Sequence, residues 1–267
     1  MDIVKGHGFL KPQESETDYV FGSAELGWKF PYETLCEDGQ WDAYLPKFEH
    51  QARQGFETAN CTAYATLNAL ECILRRKFNL IEDFSERYVG VMAGTEPPGN
   101  DPKTVIETIR KISGLIDEGL LPFDETVRTV GEYYSPNPMF GTLLAQGLNW
   151  NEEYELKYEY VFKGEVKNKP ELIKAALRHS PLGCSVYAWA LDDATGMYFK
   201  NGDDNHWTVL YGYTDKAFKI FDSYDQSHKL VPLDTDFGFV MKYYIAKKEA
   251  KKDNWFMDLI KRLFGYV

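Results

Sequence analysis

The sequence predicts a protein of the α+β class, with helices in the first half of the chain and strands in the second. The late segment His206–Tyr213 is rich in β-branched and aromatic residues, as strands are. Residues 217–222 alternate between apolar and polar residues, which is also typical of a strand. Helices that precede strands, instead of alternating with them, favour this class. In the first half, one face of a helix is marked by apolar residues at spacings of three, three and four: Tyr64, Leu67, Leu70 and Leu74.

The other elements follow from local signals. Pro102 comes directly after the cap candidates Asn100 and Asp101, so a helix begins there. Proline and glycine interrupt residues 135–149, where we place a boundary between two lobes. The helices predicted are 61–77, 84–89, one from Pro102, 126–134 and 170–177. The strands predicted are Tyr154–Phe162, 184–189, His206–Tyr213, 217–222 and 240–245.

Composition excludes several functional classes. The chain has 267 residues and a net charge of -11, and no basic stripe offsets this charge, so we expect no nucleic-acid partner. Its four cysteines, Cys36, Cys61, Cys72 and Cys184, form no CxxC pair, which predicts reduced thiols, no metal site and no cofactor. The start of the chain has no apolar signal-peptide core, and no run of eighteen apolar residues occurs. A cytoplasmic protein is expected.

We divide the chain into four parts. Residues 1–45 form an N-terminal arm, which either packs on the body as a structural element or crosses a groove. Residues 46–149 form a helical lobe and residues 150–246 a β-rich lobe. Residues 247–267 combine a lysine-rich linker with an amphipathic helix, which either docks on its own domain or contacts a partner or a membrane surface.

Cys61 opens the long helix, after the cap candidates Thr58 and Asn60. A thiol in a first helical turn faces the positive end of the helix dipole, which favours the thiolate. The simpler alternative is a small cysteine that only packs.

His206 and Asp222 complete a candidate catalytic group. His206 opens an apolar strand 145 residues after Cys61 and is expected to be reachable from solvent; Asp222 follows 16 residues later. A hairpin brings the end of its second strand beside the start of its first, so Asp222 can approach His206. An imidazole can take the proton of a thiol, and a carboxylate can orient the imidazole. The Cys61 backbone N–H and a glutamine of the preceding loop would face the oxyanion.

These residues, in this order, resemble the papain-like cysteine peptidases. The motifs that carry the likeness are Gln54-Gly55, Cys61-Thr62-Ala63-Tyr64-Ala65, Phe84-Ser85-Glu86-Arg87-Tyr88, His206 with Val209-Leu210-Tyr211-Gly212-Tyr213, and Asp222-Ser223-Tyr224. The resemblance implies a helical lobe with the nucleophile Cys61 and a β-barrel-like lobe with the base His206 and the orienting residue Asp222. It also implies a cleft between the lobes that binds a protein or peptide substrate in extended form.

The sequence departs from the family pattern at several positions. Asp222 stands where papain has asparagine, and Tyr224 where it has tryptophan. The resemblance implies an oxyanion glutamine, which is Gln51 or Gln54 in this sequence, with Gln51 slightly favoured. The opening pattern also resembles papain-like proteins of bacteriophages, which would place the protein in the host cytoplasm or a virion.

Two other functions remain open. The same trio serves Cys-His-Asp acyl transferases and cell-wall amidases, although the spacing from cysteine to histidine in those families is usually shorter. A papain-like scaffold without catalysis, used as a virion or interaction module, would suit the arm and the tail helix. His50, Cys72, Cys184, Asp203 and Asp204 are interpreted as structural residues.

Overall fold

A computed structural model describes residues 8–23, 33–53, 55–135, 140–162, 166–224 and 228–249. It confirms the α+β class. The predicted tail helix and Gln54 lie outside the described residues.

The first half of the chain is mainly helical. Its helices are α1 (Cys61–Phe78), α2 (Glu86–Met92), α3 (Pro102–Thr108), α4 (Val130–Tyr134) and α5 (Phe140–Glu153). Asp101 caps α3, because its side chain accepts a hydrogen bond from the Thr104 N–H at 2.9 Å. The chain continues from α3 into a π-helical turn, Ile109–Ser113, which ends at Gly114.

Helix α1 is the centre of the core. It is buried from Cys61 through Leu74, so the stripe of apolar residues predicted from the sequence is only part of its packing surface. Helices α2 and α3 pack on it from one side and strands of the main sheet from the other. A helix that is covered all round occupies the interior of a domain, and this position sets Cys61 at its first residue between the helices and the sheet.

The second half forms most of an antiparallel sheet. Before it, two short strands pair with each other, β1 (Ala52–Arg53) and β2 (Phe56–Glu57). The later elements are β3 (Tyr154–Phe162), α6 (Lys169–Leu177), β4 (Leu182–Val186), β5 (Ala190–Asp192), β6 (Met197–Phe199), β7 (His206–Tyr213), β8 (Ala217–Phe221), β9 (His228–Pro232) and β10 (Val240–Lys247). The six-stranded sheet has the order β3-β10-β4-β7-β8-β9, and β5 pairs only with β6. Helix α1 packs against β7 and β10.

Most predicted elements agree with the structure, but three differences matter. Helix α5 covers most of residues 135–149, so the predicted lobe boundary falls inside a helix. The strand β9 and the β5–β6 hairpin were not predicted, because each is short and depends on its partner strand. Residues 126–129 precede α4 instead of belonging to it.

The N-terminal arm is tied to both halves of the chain. Phe9 forms a parallel bridge with Asn100 of the helical half, and Val20 forms one with Tyr160 of β3. These contacts favour the groove-crossing alternative for its first described residues. No helix in the described part of the chain is long and apolar enough to cross a membrane.

Helix α5 depends on a glycine at its closest approach to the π-helical turn. A Cβ atom at Gly147 would lie 2.1 Å from the Ser113 carbonyl oxygen, whereas a Cβ at Gly141 in the same helix would meet nothing within 4 Å. Because a backbone oxygen cannot easily move away, we expect Gly147→Ala to lower the free energy of unfolding by about 1–3 kcal/mol. Gly141→Ala should be neutral or raise it by up to about 1 kcal/mol. Urea unfolding of both variants measures this, and equal stabilities would contradict the close packing.

Candidate active site

Cys61 is held at the start of α1 by a tight turn. Ala59 adopts a left-handed conformation with φ 57° two residues before it, and the Asn60 carbonyl accepts hydrogen bonds from Ala63 and Tyr64. The Asn60 side chain was predicted as a possible cap, but it donates instead to the Glu86 carbonyl at 2.8 Å and to the Tyr133 hydroxyl at 2.9 Å. This amide therefore ties the cysteine turn to α2 and α4.

The first residues of β7 lie against the sulfur. The Trp207 N–H donates to Cys61 Sγ at 3.4 Å. His206 Nε2 is engaged elsewhere, so Nδ1 is the ring nitrogen that remains for the thiol. Nδ1 is buried and has no partner with hydrogen-bond geometry among the described residues. The Cys61 side chain nevertheless raises the pKa of the imidazole, so the two groups are neighbours.

Asp222 is fully enclosed and well supplied with donors. Its Oδ1 lies 2.6 Å from His206 Nε2 and 3.4 Å from the Thr208 hydroxyl. Its Oδ2 accepts from Trp189 Nε1 at 2.8 Å and from Lys229 Nζ at 2.7 Å. Strand β8 ends at Phe221 opposite Val209, which brings Asp222 back toward the start of β7 as the hairpin argument predicts.

The charges of this group shift two pKa values in opposite directions. Burial by itself would lower the pKa of His206, but the negative charges of Asp222 and Cys61 outweigh it and raise that pKa to about 10. Burial would raise the pKa of Asp222, but His206 and Lys229 hold it well below its usual range. The imidazole is therefore protonated at neutral pH, as an ion pair with a thiolate requires.

The expectation that His206 is reachable from solvent is wrong. Its side chain is 0% exposed, as is that of Asp222, and Cys61 is 0% exposed as well. The Tyr224 ring lies over the imidazole with a centroid distance of 4.8 Å, and Trp189 meets it edge-on at 6.0 Å. These two rings enclose the imidazole at the end of the strand.

The N-terminal arm covers the sulfur. A Cβ atom at Gly8 would lie 2.6 Å from Cys61 Sγ and 2.9 Å from the Ala59 carbonyl oxygen. The Asn100 N–H donates to the Gly8 carbonyl at 3.1 Å, and the Leu10 N–H donates to the Asn100 carbonyl at 3.0 Å. On the other side, the Phe9 N–H donates to the Asn205 carbonyl at 3.3 Å. An extended segment thus fills a groove whose two walls come from the two halves of the chain.

Of the two candidate glutamines, the structure describes Gln51. Its side chain is buried, and its Nε2 donates to Glu57 Oε1 at 2.7 Å and to the Tyr224 hydroxyl at 3.1 Å. Its Oε1 accepts from the Ser223 hydroxyl at 2.5 Å. Gln51 is therefore fixed beside Tyr224, but both of its amide protons are used in this state.

The remaining candidates have structural surroundings. All four cysteines are buried free thiols. The His50 ring accepts a hydrogen bond from the Ala52 N–H at 3.1 Å, and Asp204 Oδ2 accepts from the Ser185 hydroxyl at 2.7 Å. Within the described ranges, no group of three or more His, Cys, Asp or Glu side chains could hold a metal ion.

Sequence reasoning missed Lys229 and Trp189 as neighbours of Asp222. The sequence offered no signal for Lys229, because the pattern that buries Lys229 and Val231 and exposes the apolar Leu230 is visible only in the structure. Trp189 follows β4 in an irregular stretch, so no local pattern pointed to its role.

Comparisons with known proteins identify the fold. The sequence matches no protein-family model and no curated protein. Similar solved structures include the ragweed pollen cysteine protease allergen Amb a 11 in its proform, with TM-score 0.52, 14% identity and coverage of 76% of this chain and 65% of that one. The clostridial cysteine protease Cwp84 after propeptide cleavage has TM-score 0.60, 12% identity and coverage of 78% and 57%. Digestive procathepsin L 3 of Tenebrio molitor larval midgut has TM-score 0.55, 12% identity and coverage of 89% and 76%.

The chain thus spans less than two thirds of the first two of these structures. The three similar proteins come from a plant, a clostridium and a beetle, and do not support the resemblance to phage-encoded proteins. At these identities the likeness shows the fold alone. With its central helix, its antiparallel sheet and these structural relatives, the chain has the papain-like fold.

Proposed function

We propose that this protein is a cysteine peptidase that hydrolyses peptide bonds through a thioester acyl-enzyme. The observation that supports this most is the buried group of Cys61, His206 and Asp222 beneath an extended peptide segment. Burying charged groups costs several kcal/mol unless they pair. A thiol, an imidazole and a carboxylate in this order beneath a groove are the groups that a cysteine peptidase needs.

Each residue has a chemical role in this proposal. The Cys61 thiolate attacks the carbonyl carbon of the scissile bond and forms a C–S bond. His206 gives its proton to the leaving amine as the C–N bond breaks. Water then attacks the thioester, its proton passes to His206, and the C–S bond breaks. Asp222 orients the imidazole throughout.

The oxyanion donors in this proposal are the Cys61 backbone N–H and the Gln51 amide. Gln51 Nε2 donates to Glu57, whose Oε1 also accepts from the Ala59 N–H at 3.0 Å. The Glu57 carboxylate therefore takes an amide proton that the oxyanion would need. We infer that Glu57 moves away when a substrate enters.

The groove indicates the kind of substrate. The Phe9 ring stacks on Trp207 with a centroid distance of 5.7 Å and an interplanar angle of 6°, and it also contacts Phe239. We infer that the pocket beside the sulfur takes an aromatic or aliphatic side chain, with the main chain held by Asn100 and Asn205. Because the arm fills these positions, the described state is latent, and the arm must leave before a substrate binds. Two of the similar structures are themselves described as a proform or a procathepsin.

Displacement of the arm tests the latency. In Gly8→Ala the added methyl group has no room beside Cys61 Sγ, so we expect Cys61 to be alkylated by iodoacetamide at least about tenfold faster, because its access no longer depends on rare opening. Gly131→Ala is the matched control, since its Cβ would meet only Thr129 Oγ1 at 3.9 Å. Mass spectrometry of the labelled peptide gives the rate at each cysteine. Equal rates in the two variants would contradict the covering role of the arm.

The nucleophile is tested in the same opened chain. We expect Gly8→Ala to hydrolyse unfolded protein substrates and Gly8→Ala/Cys61→Ala to lose this activity by at least about a thousandfold, because attack on the carbonyl needs the thiolate. Gly8→Ala/Cys36→Ser is the control for loss of another buried thiol. Activity that survives Cys61→Ala would exclude the proposed mechanism. Alkylation of Cys61 no faster than that of a free thiol would exclude an activated nucleophile.

The choice of glutamine can be decided by rates. Removing one oxyanion donor lowers kcat by about a hundredfold to a thousandfold. We therefore expect Gln51→Ala to show such a loss in the Gly8→Ala background, with KM changed much less, while Gln54→Ala stays close to its parent. The reverse order would assign the role to Gln54. Circular dichroism checks that Gln51→Ala remains folded.

A further inference from the structure

Lys229 is a buried cation next to the candidate active site. It lies on β9, and its side chain is only 3% exposed. Its Nζ lies 2.7 Å from Asp222 Oδ2, while Oδ1 of the same carboxylate lies 2.6 Å from His206 Nε2. Two groups that can carry positive charge therefore share one buried carboxylate.

The surroundings hold Lys229 in place. Its Nζ lies 5.2 Å from the centre of the Trp189 ring and 5.6 Å from that of Tyr198. Aromatic faces attract a cation at this range. Trp189 also donates its Nε1 proton to Asp222 Oδ2, so the same ring contacts both members of the pair.

The charges of the catalytic group balance only when Lys229 is included. A thiolate at Cys61 and an imidazolium at His206 already balance each other. A neutral amide as the orienting group would leave that balance unchanged, but the Asp222 carboxylate adds a negative charge in a fully buried place. A buried charge without compensation is strongly disfavoured, and Lys229 supplies the fourth charge that restores neutrality.

We propose that Lys229 is a positioning residue that balances the charge of Asp222, so that the pair presents His206 with an acceptor of little net charge. The Asp222–Lys229 pair then acts on His206 as a neutral amide acceptor would. Without Lys229, the unbalanced carboxylate holds the proton on His206 too tightly for transfer to a leaving amine. This inference rests on the proposed function for its biological meaning, but the charge balance is measurable without peptide hydrolysis.

The test compares Lys229→Met with Asp222→Asn/Lys229→Met, both in the full-length Gly8→Ala chain. The titration of His206 is followed by NMR of its ring, and the rates of Cys61 alkylation and of peptide hydrolysis are measured against pH. The titratable groups that face His206 in the described structure are Cys61 on α1, Asp222 and Tyr224 after β8 and, beyond Asp222, Lys229 on β9.

For Lys229→Met we expect the titration midpoint of His206 to rise by about half a unit or more and hydrolysis to fall by about tenfold or more. The added Asp222→Asn removes the unbalanced carboxylate. It should bring the midpoint back down by about one unit or more and restore hydrolysis to within about fivefold of the Gly8→Ala parent. Lys229→Arg keeps the charge and should leave the midpoint unchanged.

Lys242→Met is the matched control. Lys242 is another buried lysine, and its Nζ lies 2.6 Å from Glu159 Oε1, across the pair of strands β10 and β3. The Lys242→Met variant should leave the titration midpoint of His206 unchanged. A double variant that is as slow as Lys229→Met, or an unchanged midpoint in Lys229→Met, would overturn the proposal. If Lys229→Met does not fold, a folded and active double variant supports it, whereas a folded and inactive one refutes it. If no chain hydrolyses peptides, the proposed function fails, yet the midpoints and the alkylation rates still decide the role of Lys229.

Discussion

The buried carboxylate of Asp222 is the constraint on which the arrangement of the β-rich half depends. An unpaired carboxylate in this place would cost several kcal/mol, so its donors must be brought together from separate parts of the chain. His206 comes from the start of β7, Lys229 from β9 and Trp189 from the stretch after β4. These contacts link the central strand of the sheet to its edge strand and to the loop that leads into the β5–β6 hairpin.

The second constraint is the position of α1. A helix buried along most of its length must be packed from every side, and here the helical half covers one side and the sheet the other. Its first residue therefore lies where the two halves meet, and Trp207 at the start of β7 donates to the sulfur. The Asn60 amide fixes this position further by bonding to α2 and α4. The proposed chemistry thus needs no mobile element to bring thiol and imidazole together.

In the proposed function, an extended substrate would use the same polar groups as the arm. Asn100 and Asn205 offer backbone donors and acceptors in the groove, and unpaired backbone groups are costly when buried. The arm satisfies them and places Phe9 on Trp207. The burial of Cys61 and the proposed catalysis are therefore compatible, because the cover is an extended segment whose Phe9 side chain packs on Trp207.

Local patterns in the sequence determined the class of the fold and the type and place of most elements, because the periods of helices and strands are properties of neighbouring residues. Strand β7 and the first residue of α1 were predicted at the residues where they occur. Residue type and spacing also gave Cys61, His206 and Asp222 as candidates, and the structure places Asp222 beside His206, as the hairpin argument predicts. Other features belong to the tertiary structure alone. The Gly8 contact with the sulfur, the partners of Gln51 and the Lys229 ion pair each join residues far apart in the chain. Helix α5 was not predicted because its two glycines suggested a loop. The reason for Gly147 is its close approach to Ser113, which lies outside the segment. Such contacts are decided by how whole elements pack, and no local period encodes them.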